Sequence, residues 1–378
     1  MSVRERTRKK SVLTGVKIEE LWSLNYFPVY MGCTEQPMER DVLADMSFGI
    51  CLETGIIQLT KLLPLDLVYL GQHNDATGGV WLEHHDSFVD FLGRFSARRV
   101  LEIGGGSGYI ADKYLESHPG ASWTIIEPNP NIKARDRLEV RRGWFDENLQ
   151  VGIKPDTVAH THVFEHAYDP VGFMRQISSF LAVGSRHVFA FPNMYELLKG
   201  KHANCLNFEH TCFLREEYVD VLLQNFGFKI LEKQYFRKHS IFYATEKMGD
   251  ELEQQSYPNF YQENKQMFLD LVDLTNSVVE QWNDKLAKEP RPVYLFGAHI
   301  FSQWLLAFGL DDSKIVSILD NSPLKIGKRL YGTKFKVESP KVLASKEGVV
   351  VLLKAAGYNE EIKADILENI NPAIEFWE

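Results

Sequence analysis

LEIGGGSGYIA, residues 101–111, decides how this chain is read. An apolar strand runs into Gly104, Gly105, Gly106, Ser107 and Gly108, and a helical pattern begins at once after them. Glycines at a strand-to-helix turn let the backbone take conformations closed to other residues and approach a ligand closely. A dinucleotide fingerprint needs a third glycine five residues after the first; that position here is Tyr109. The strand ahead of the loop carries Glu102, and the following strand, SWTIIEP, ends in Glu127. A carboxylate at a strand end offers two acceptor oxygens, which suits a pair of ribose hydroxyls.

Outward from this loop the pattern alternates. RRVLEIG, SWTIIEP, DTVAHTHVFEH, RHVFAFPN and FKILEKQYF read as strands, and GYIADKYLES and DPVGFMRQISSFLAVG as helices, the latter with Asp169 as N-cap and Gly184 as C-cap. Strands alternating with helices predict a mostly parallel α/β sheet with both faces covered. Before it, short apolar runs broken by Gly, Pro and Asn predict a small β-rich lobe over 1–80, and EHHDSFVDFLGRF predicts a lead-in helix. After it, MFLDLVDLTNSVVEQWNDKL predicts a long connecting helix, and PVYLFGAHIFSQWLL repeats the strand–glycine–helix pattern. The expected division is therefore 1–80, 81–255 and 256–378, consistent with two or three domains for 378 residues.

Composition narrows the function classes. With 42 Lys+Arg against 51 Asp+Glu the net charge is −9, which argues against nucleic-acid backbone binding. No apolar run is long enough to span a bilayer, so no membrane partner is expected. MSVRERTRKKSVLTG has a basic start without an apolar segment behind it, unlike a secretory signal. Four cysteines are too few for a disulfide scaffold, and the context reads as cytoplasmic.

Glycines at alternate positions 104, 106 and 108 resemble the loop of S-adenosylmethionine-dependent methyltransferases. Together with HTHVFEHAYDP (160–170) and NFEHTCF (207–213), the chain resembles the sugar C-methyltransferases, class I enzymes acting on nucleotide-linked deoxysugars. The resemblance runs through SFGICLETGIIQLTKLLPLDLVY and GVWLEHHDSF to the C-terminal LDNSPLKIGKRLYGT. It implies a class I methyltransferase Rossmann-like core with a small N-terminal lobe and a smaller C-terminal Rossmann-like domain. The implied cofactor is S-adenosylmethionine, leaving as S-adenosylhomocysteine, and the implied substrate is a nucleotide-linked sugar. The family's N-terminal lobe usually holds zinc through four cysteines; the corresponding positions are Phe27, Tyr30, Cys51 and Thr54, with Cys33 three residues late. One thiolate does not make a structural zinc site, so no metal is expected.

C-methylation beside a carbonyl requires a base for the carbon-bound proton and a partner for the enolate oxygen. The resemblance places the base at His210, with Glu209 raising its basicity, and His166 at the enolate or a sugar hydroxyl. His162 and Glu165 share the loop that would meet the cofactor's methionine end. Gly104, Gly105, Gly106, Gly108, Glu102 and Glu127 are assigned to the cofactor, and Phe145 and Asp146 to its adenine. His73, in the 71–79 loop, and Asn193 are assigned to substrate. His84, His85, Cys205 and Cys212 read as packing. FGAHIFSQ carries one glycine and reads as a structural Rossmann unit or a hold for the substrate's nucleotide. The competing readings are an O- or N-methyltransferase on a sugar or small metabolite, and a non-catalytic cofactor-binding scaffold.

Overall fold

The computed structural model describes residues 6–69, 79–146, 149, 152, 154–249 and 254–378. Its centre is a seven-stranded sheet made of β1 (Arg99–Ile103), β2 (Ser122–Glu127), β3 (Leu138–Arg142), β4 (Thr157–Thr161), β5 (Arg186–Pro192), β6 (Phe228–Phe236) and β7 (Ser240–Lys247). Their order in the sheet is β3-β2-β1-β4-β5-β7-β6. All neighbours among β1–β5 pair in parallel, and β7 alone runs antiparallel, between β5 and β6. This is the class I methyltransferase arrangement. The order reverses between β1 and β4, and at such a switch point the loops leaving the strands diverge and open a crevice.

Side-chain alternation explains why the sheet is covered on both faces. Leu101, Ile126, Val158 and Phe189 point to one side, and Val100, Ile125, Ala159 and Val188 to the other; all are buried. The lead-in helix α1 (Gly79–Gly93) and α2 (Tyr109–Ser117) cover the second face; α3 (Pro170–Phe180) and α4 (Glu216–Asn225) cover the first. Asp169 caps α3 by accepting from the Gly172 N–H at 2.9 Å. Gly184 is not its C-cap, as the sequence suggested. The helix ends at Phe180 with Leu181 extended, and Gly184 lies further on in a left-handed turn whose N–H donates to the Lys247 carbonyl. The hairpin partner β7 also went unread. Its run SIFYATEK has Ser240 and Thr245 where an apolar strand would be sought, yet both are buried.

The N-terminal lobe is a three-stranded antiparallel sheet of Ile18–Pro28, Leu43–Cys51 and Ile57–Leu59. Helix α5 (Tyr261–Leu286) leads to a five-stranded parallel sheet of β8 (Val293–Phe296), β9 (Ile315–Leu319), β10 (Val337–Glu338), β11 (Val350–Leu353) and β12 (Glu375–Trp377), ordered β10-β9-β8-β11-β12. Helix α6 (Ile300–Ala307) follows β8. Among the described residues, no helix is long and apolar enough to cross a membrane.

Three parts of the chain meet at Trp304 on α6. Phe27 and Trp22 of the N-terminal lobe pack on its ring at 5.1 and 5.9 Å, and its indole N–H donates to the Leu206 carbonyl at 2.7 Å. Phe27, Tyr30, Cys51 and Thr54, which the resemblance aligns with cysteines, are all buried; the first three join apolar clusters, and the Thr54 hydroxyl accepts from the Ile56 N–H at 3.2 Å. A second tie joins the two ends of the chain: Cys33–Thr34 pairs with Arg329–Leu330, and the Arg329 guanidinium grips the Asp41 carboxylate through two bonds of 2.6 and 2.8 Å. Asp41 also accepts from the Gly332 N–H at 2.7 Å, and its side chain is only 3% exposed. Removing one partner of a buried pair strands the other charge, so Asp41→Ala should lower unfolding stability by about 3–5 kcal/mol. Denaturant unfolding checks this, and a change below about 1 kcal/mol, the range of exposed pairs, would mean that the pair is effectively solvated.

Candidate active site

The crevice opens where β1, β2 and β4 end. Leaving β1, the backbone turns through left-handed conformations at Gly104 (φ +74°) and Gly106 (φ +49°). The constraint at Gly104 is steric as well as torsional. A Cβ there would lie 2.6 Å from Val163 Cγ2, in the loop after β4. The glycine therefore lets the β1 and β4 loops meet, and its N–H donates to the Ile126 carbonyl of β2 at 2.9 Å. Gly105 and Gly106 line the crevice with Ser107. Gly108 is not among the lining residues; it starts α2, packed against Ile132.

The two acids assigned to the cofactor have different surroundings. Glu127 ends β2 with one carboxylate oxygen accepting from the Gly106 N–H at 3.2 Å and the other from the Asn129 N–H at 2.9 Å. Each oxygen keeps a second lone pair at the crevice, so the group can still accept from two hydroxyls. Glu102 is buried, and its carboxyl accepts from the Trp123 indole N–H at 2.8 Å. Burial pushes its pKa up to about 7, the Glu127 charge adds to the rise, and the indole bond opposes it. The sequence reading ranks Glu102 with Glu127, and both border the crevice, but Glu102 is buried beneath the loop against the Trp123 indole. Phe145 packs edge-on against Phe173 and Phe180 at 5.7 and 6.0 Å, and Asp146 joins it in the lining.

The loop after β4 supplies the histidines. His162 adopts φ +53°, and its Nε2 meets the Ser240 hydroxyl at 3.0 Å. Glu165 is fully buried, and neither carboxylate oxygen has a hydrogen-bond partner among the described residues. Its Oε1 lies 3.4 Å from His162 Nδ1 and 3.6 Å from His166 Nε2. His166 Nδ1 is 2.6 Å from the Tyr69 hydroxyl. Burial holds the Tyr69 pKa well above its ordinary value, with the Glu209 and Glu165 charges adding to it, so Tyr69 keeps its proton. Burial likewise drives His162 well below the ordinary imidazole range, so its ring is neutral.

The third loop carries the Glu-His pair. The Asn207 side-chain oxygen accepts from the backbone N–H groups of both Glu209 and His210 at 2.8 Å, which fixes the turn. His210 Nδ1 is 3.0 Å from the Cys205 carbonyl. A carbonyl only accepts, so Nδ1 carries the proton and Nε2 holds the lone pair. The sequence expected Glu209 to orient His210. The Cys205 carbonyl does so in the structure, and Glu209 Oε2 stands 3.8 Å from His166 Nδ1. The rings of His166 and His210 are 5.4 Å apart.

Two substrate assignments fare differently. His73 lies outside the described residues. Asn193 is not a lining residue; its amide oxygen caps the short helix Met194–Lys199 by accepting from the Glu196 N–H at 3.2 Å. The reading missed Tyr69 and His239, which tertiary contact alone brings to the crevice, and Asn207, whose place two and three residues before Glu209 and His210 is the local signal that could have found it. The C-terminal domain forms the opposite wall: Gly297, Asp320, Ser322 and Lys325 line the same cavity of about 2070 Å³.

Residues 82–233 match a family model described as "Methyltransferase domain". A protein of Mycolicibacterium smegmatis named "Probable S-adenosylmethionine-dependent methyltransferase" is 26% identical over 159 residues, which cover 41% of this chain and 62% of that protein. The chain thus spans less than two thirds of that relative. Similar solved structures include human N-acetylserotonin methyltransferase in complex with S-adenosylmethionine (TM-score 0.41, 16% identity, 49% of this chain and 59% of that one). Another is N,N-8-amino-8-demethyl-D-riboflavin dimethyltransferase from Streptomyces davawensis (TM-score 0.37, 22% identity, 44% and 55%). Residues 82–233 of the chain thus match a methyltransferase domain.

Two outcomes follow from the acids. Glu127→Ala should weaken binding of S-adenosylmethionine and S-adenosylhomocysteine by about 1–3 kcal/mol, since hydroxyls lose a charged acceptor; calorimetry showing equal binding would remove Glu127 from the site. Glu102 binds its proton more tightly folded than unfolded, so its contribution is fully present below about pH 4.5 and is lost as pH rises to about 7. Glu102→Gln should remove this fall, worth on the order of 3 kcal/mol, from the stability–pH curve. Unchanged slopes in the variant's denaturation series would show that Glu102 ionises normally.

Proposed function

We propose that the whole chain is an S-adenosylmethionine-dependent methyltransferase that methylates a carbon of a nucleotide-linked keto-deoxysugar through an enolate, with His210 as base. The observation that carries this reading is the state of His210. Its Nδ1–H is spent on the Cys205 carbonyl, which leaves the basic Nε2 in a crevice shared with the glycine loop. A proton on carbon beside a carbonyl is acidic enough for a positioned imidazole to remove. His166, held by Tyr69 and flanked by Glu165, supports the enolate oxygen or an adjacent hydroxyl. The cofactor, when bound, supplies the methyl group.

The cleft supports the substrate class by size and by its far wall. Ordinary small-ligand pockets are about 300–1,000 Å³, so a cavity of about 2070 Å³ has room for a cofactor and a second extended ligand. On the far wall, Asp320 at the end of β9 accepts from the Ala298 and Ser322 N–H groups at 2.9 Å, and Lys325 Nζ lies 3.1 Å from it. A carboxylate steadied in this way at the end of a parallel strand suits the ribose hydroxyls of a nucleotide. The degenerate cysteine positions of the N-terminal lobe accord with a lobe that keeps its fold by packing.

If His210 is the base, His210→Asn should reduce turnover about 100- to 10,000-fold. It should also suppress exchange of the substrate's carbon-bound proton in heavy water, while S-adenosylhomocysteine still binds. Full activity in this variant would eliminate His210. A product methylated on oxygen or nitrogen would move the protein to the O- or N-methyltransferase reading.

A further inference from the structure

Three histidines from distant parts of the chain converge beside the crevice. His84 lies on α1, His162 in the loop after β4, and His239 in the turn joining β6 and β7. Each offers a ring nitrogen, and those atoms all lie within 4.8 Å of one another. The ring centroids form a near-equilateral triangle with sides of 5.1, 5.4 and 5.6 Å. Three imidazoles bound tetrahedrally to one ion at about 2.0–2.1 Å would have centroids about 5 Å apart.

The hydrogen bonding is short of partners in the same place. The Ser240 hydroxyl lies 3.0 Å from His162 Nε2 and 2.5 Å from His239 Nδ1. His84 is fully buried, backed by Phe236 and Phe242, and neither of its ring nitrogens has a hydrogen-bond partner among the described residues. An aromatic wall alone would be built of phenylalanine; a buried imidazole with both nitrogens unspent is costly unless something takes a lone pair. Behind His162, Glu165 Oε1 stands 3.4 Å from Nδ1. A carboxylate on the far nitrogen is the usual support of a metal-bound histidine, since it fixes the tautomer that leaves Nε2 free.

We infer that His84, His162 and His239 form a binding site for one divalent transition-metal ion of the zinc class. The ion fastens α1, the β4 loop and the β6–β7 turn together as one wall of the crevice. Imidazole nitrogens suit zinc and its neighbours rather than calcium or magnesium, which take oxygen ligands. The residues are spaced 78 and 77 positions apart, so no sequence motif reveals them. The sequence reading, which looked for a thiolate site in the N-terminal lobe, therefore expected no metal.

The test is zinc uptake by the full chain after chelator treatment, followed by calorimetry and elemental analysis. One ion per chain and a higher unfolding temperature with zinc are expected. His84→Phe keeps the aromatic volume and should weaken zinc binding more than about 100-fold and abolish the thermal gain. His239→Phe should do the same, and circular dichroism reports that each variant is folded. No zinc uptake by the folded native chain, or full uptake by both variants, would overturn the inference. So would loss of the ion in His210→Asn alone, which would place it with Glu165, His166 and His210.

Discussion

The organisation of the crevice rests on one close approach, that of Gly104 to Val163. With any side chain at 104 the Val163 side chain in the loop after β4 would have to give way, because the 2.6 Å left between a Cβ and Val163 Cγ2 is below any real carbon contact. That loop carries His162, Glu165 and His166, and the Glu165 carbonyl in turn accepts from the Thr211 N–H at 2.9 Å. Thr211 follows His210 directly, so the glycine loop meets the histidine loop through the Val163 side chain, and the histidine loop is tied to the Glu-His turn by one backbone hydrogen bond. Under the proposed function, a cofactor on the glycines and a base on the third loop would be held at a fixed separation, as positioned catalysis requires.

Charge is arranged around this frame by burial more than by pairing. Glu102 is driven toward its protonated form and His162 toward its neutral form by loss of water. Glu127, which keeps its edge in the crevice, is steadied by two backbone N–H groups. The two acids differ although they are neighbours in the same sheet: both border the crevice, but Glu102 is buried under the loop and Glu127 stands at its edge.

The core was legible because it is local. The run from Arg99 to Glu127 announces strand, glycine turn, helix and strand by periodicity and by glycine placement, and the parallel sheet follows. β7 was hidden because its buried Ser240 and Thr245 break the apolar pattern. The site divides in the same way. Glu127 and His210 lie in short motifs that can be read locally, and both border the crevice. Asn193 was misassigned because its side chain is spent on a helix cap. Tyr69 and the partnership of His84 with His239 depend on packing between remote segments, which composition and spacing do not encode, whereas Asn207 makes a local turn within the NFEH motif.

The most direct test of this account is a crystal structure of the chain with S-adenosylhomocysteine. Both ribose hydroxyls should lie within hydrogen-bond distance of the Glu127 carboxylate, and the sulfur should face the space before His210 Nε2. A ligand bound away from the 104–108 loop, or a sulfur turned from His210, would contradict it.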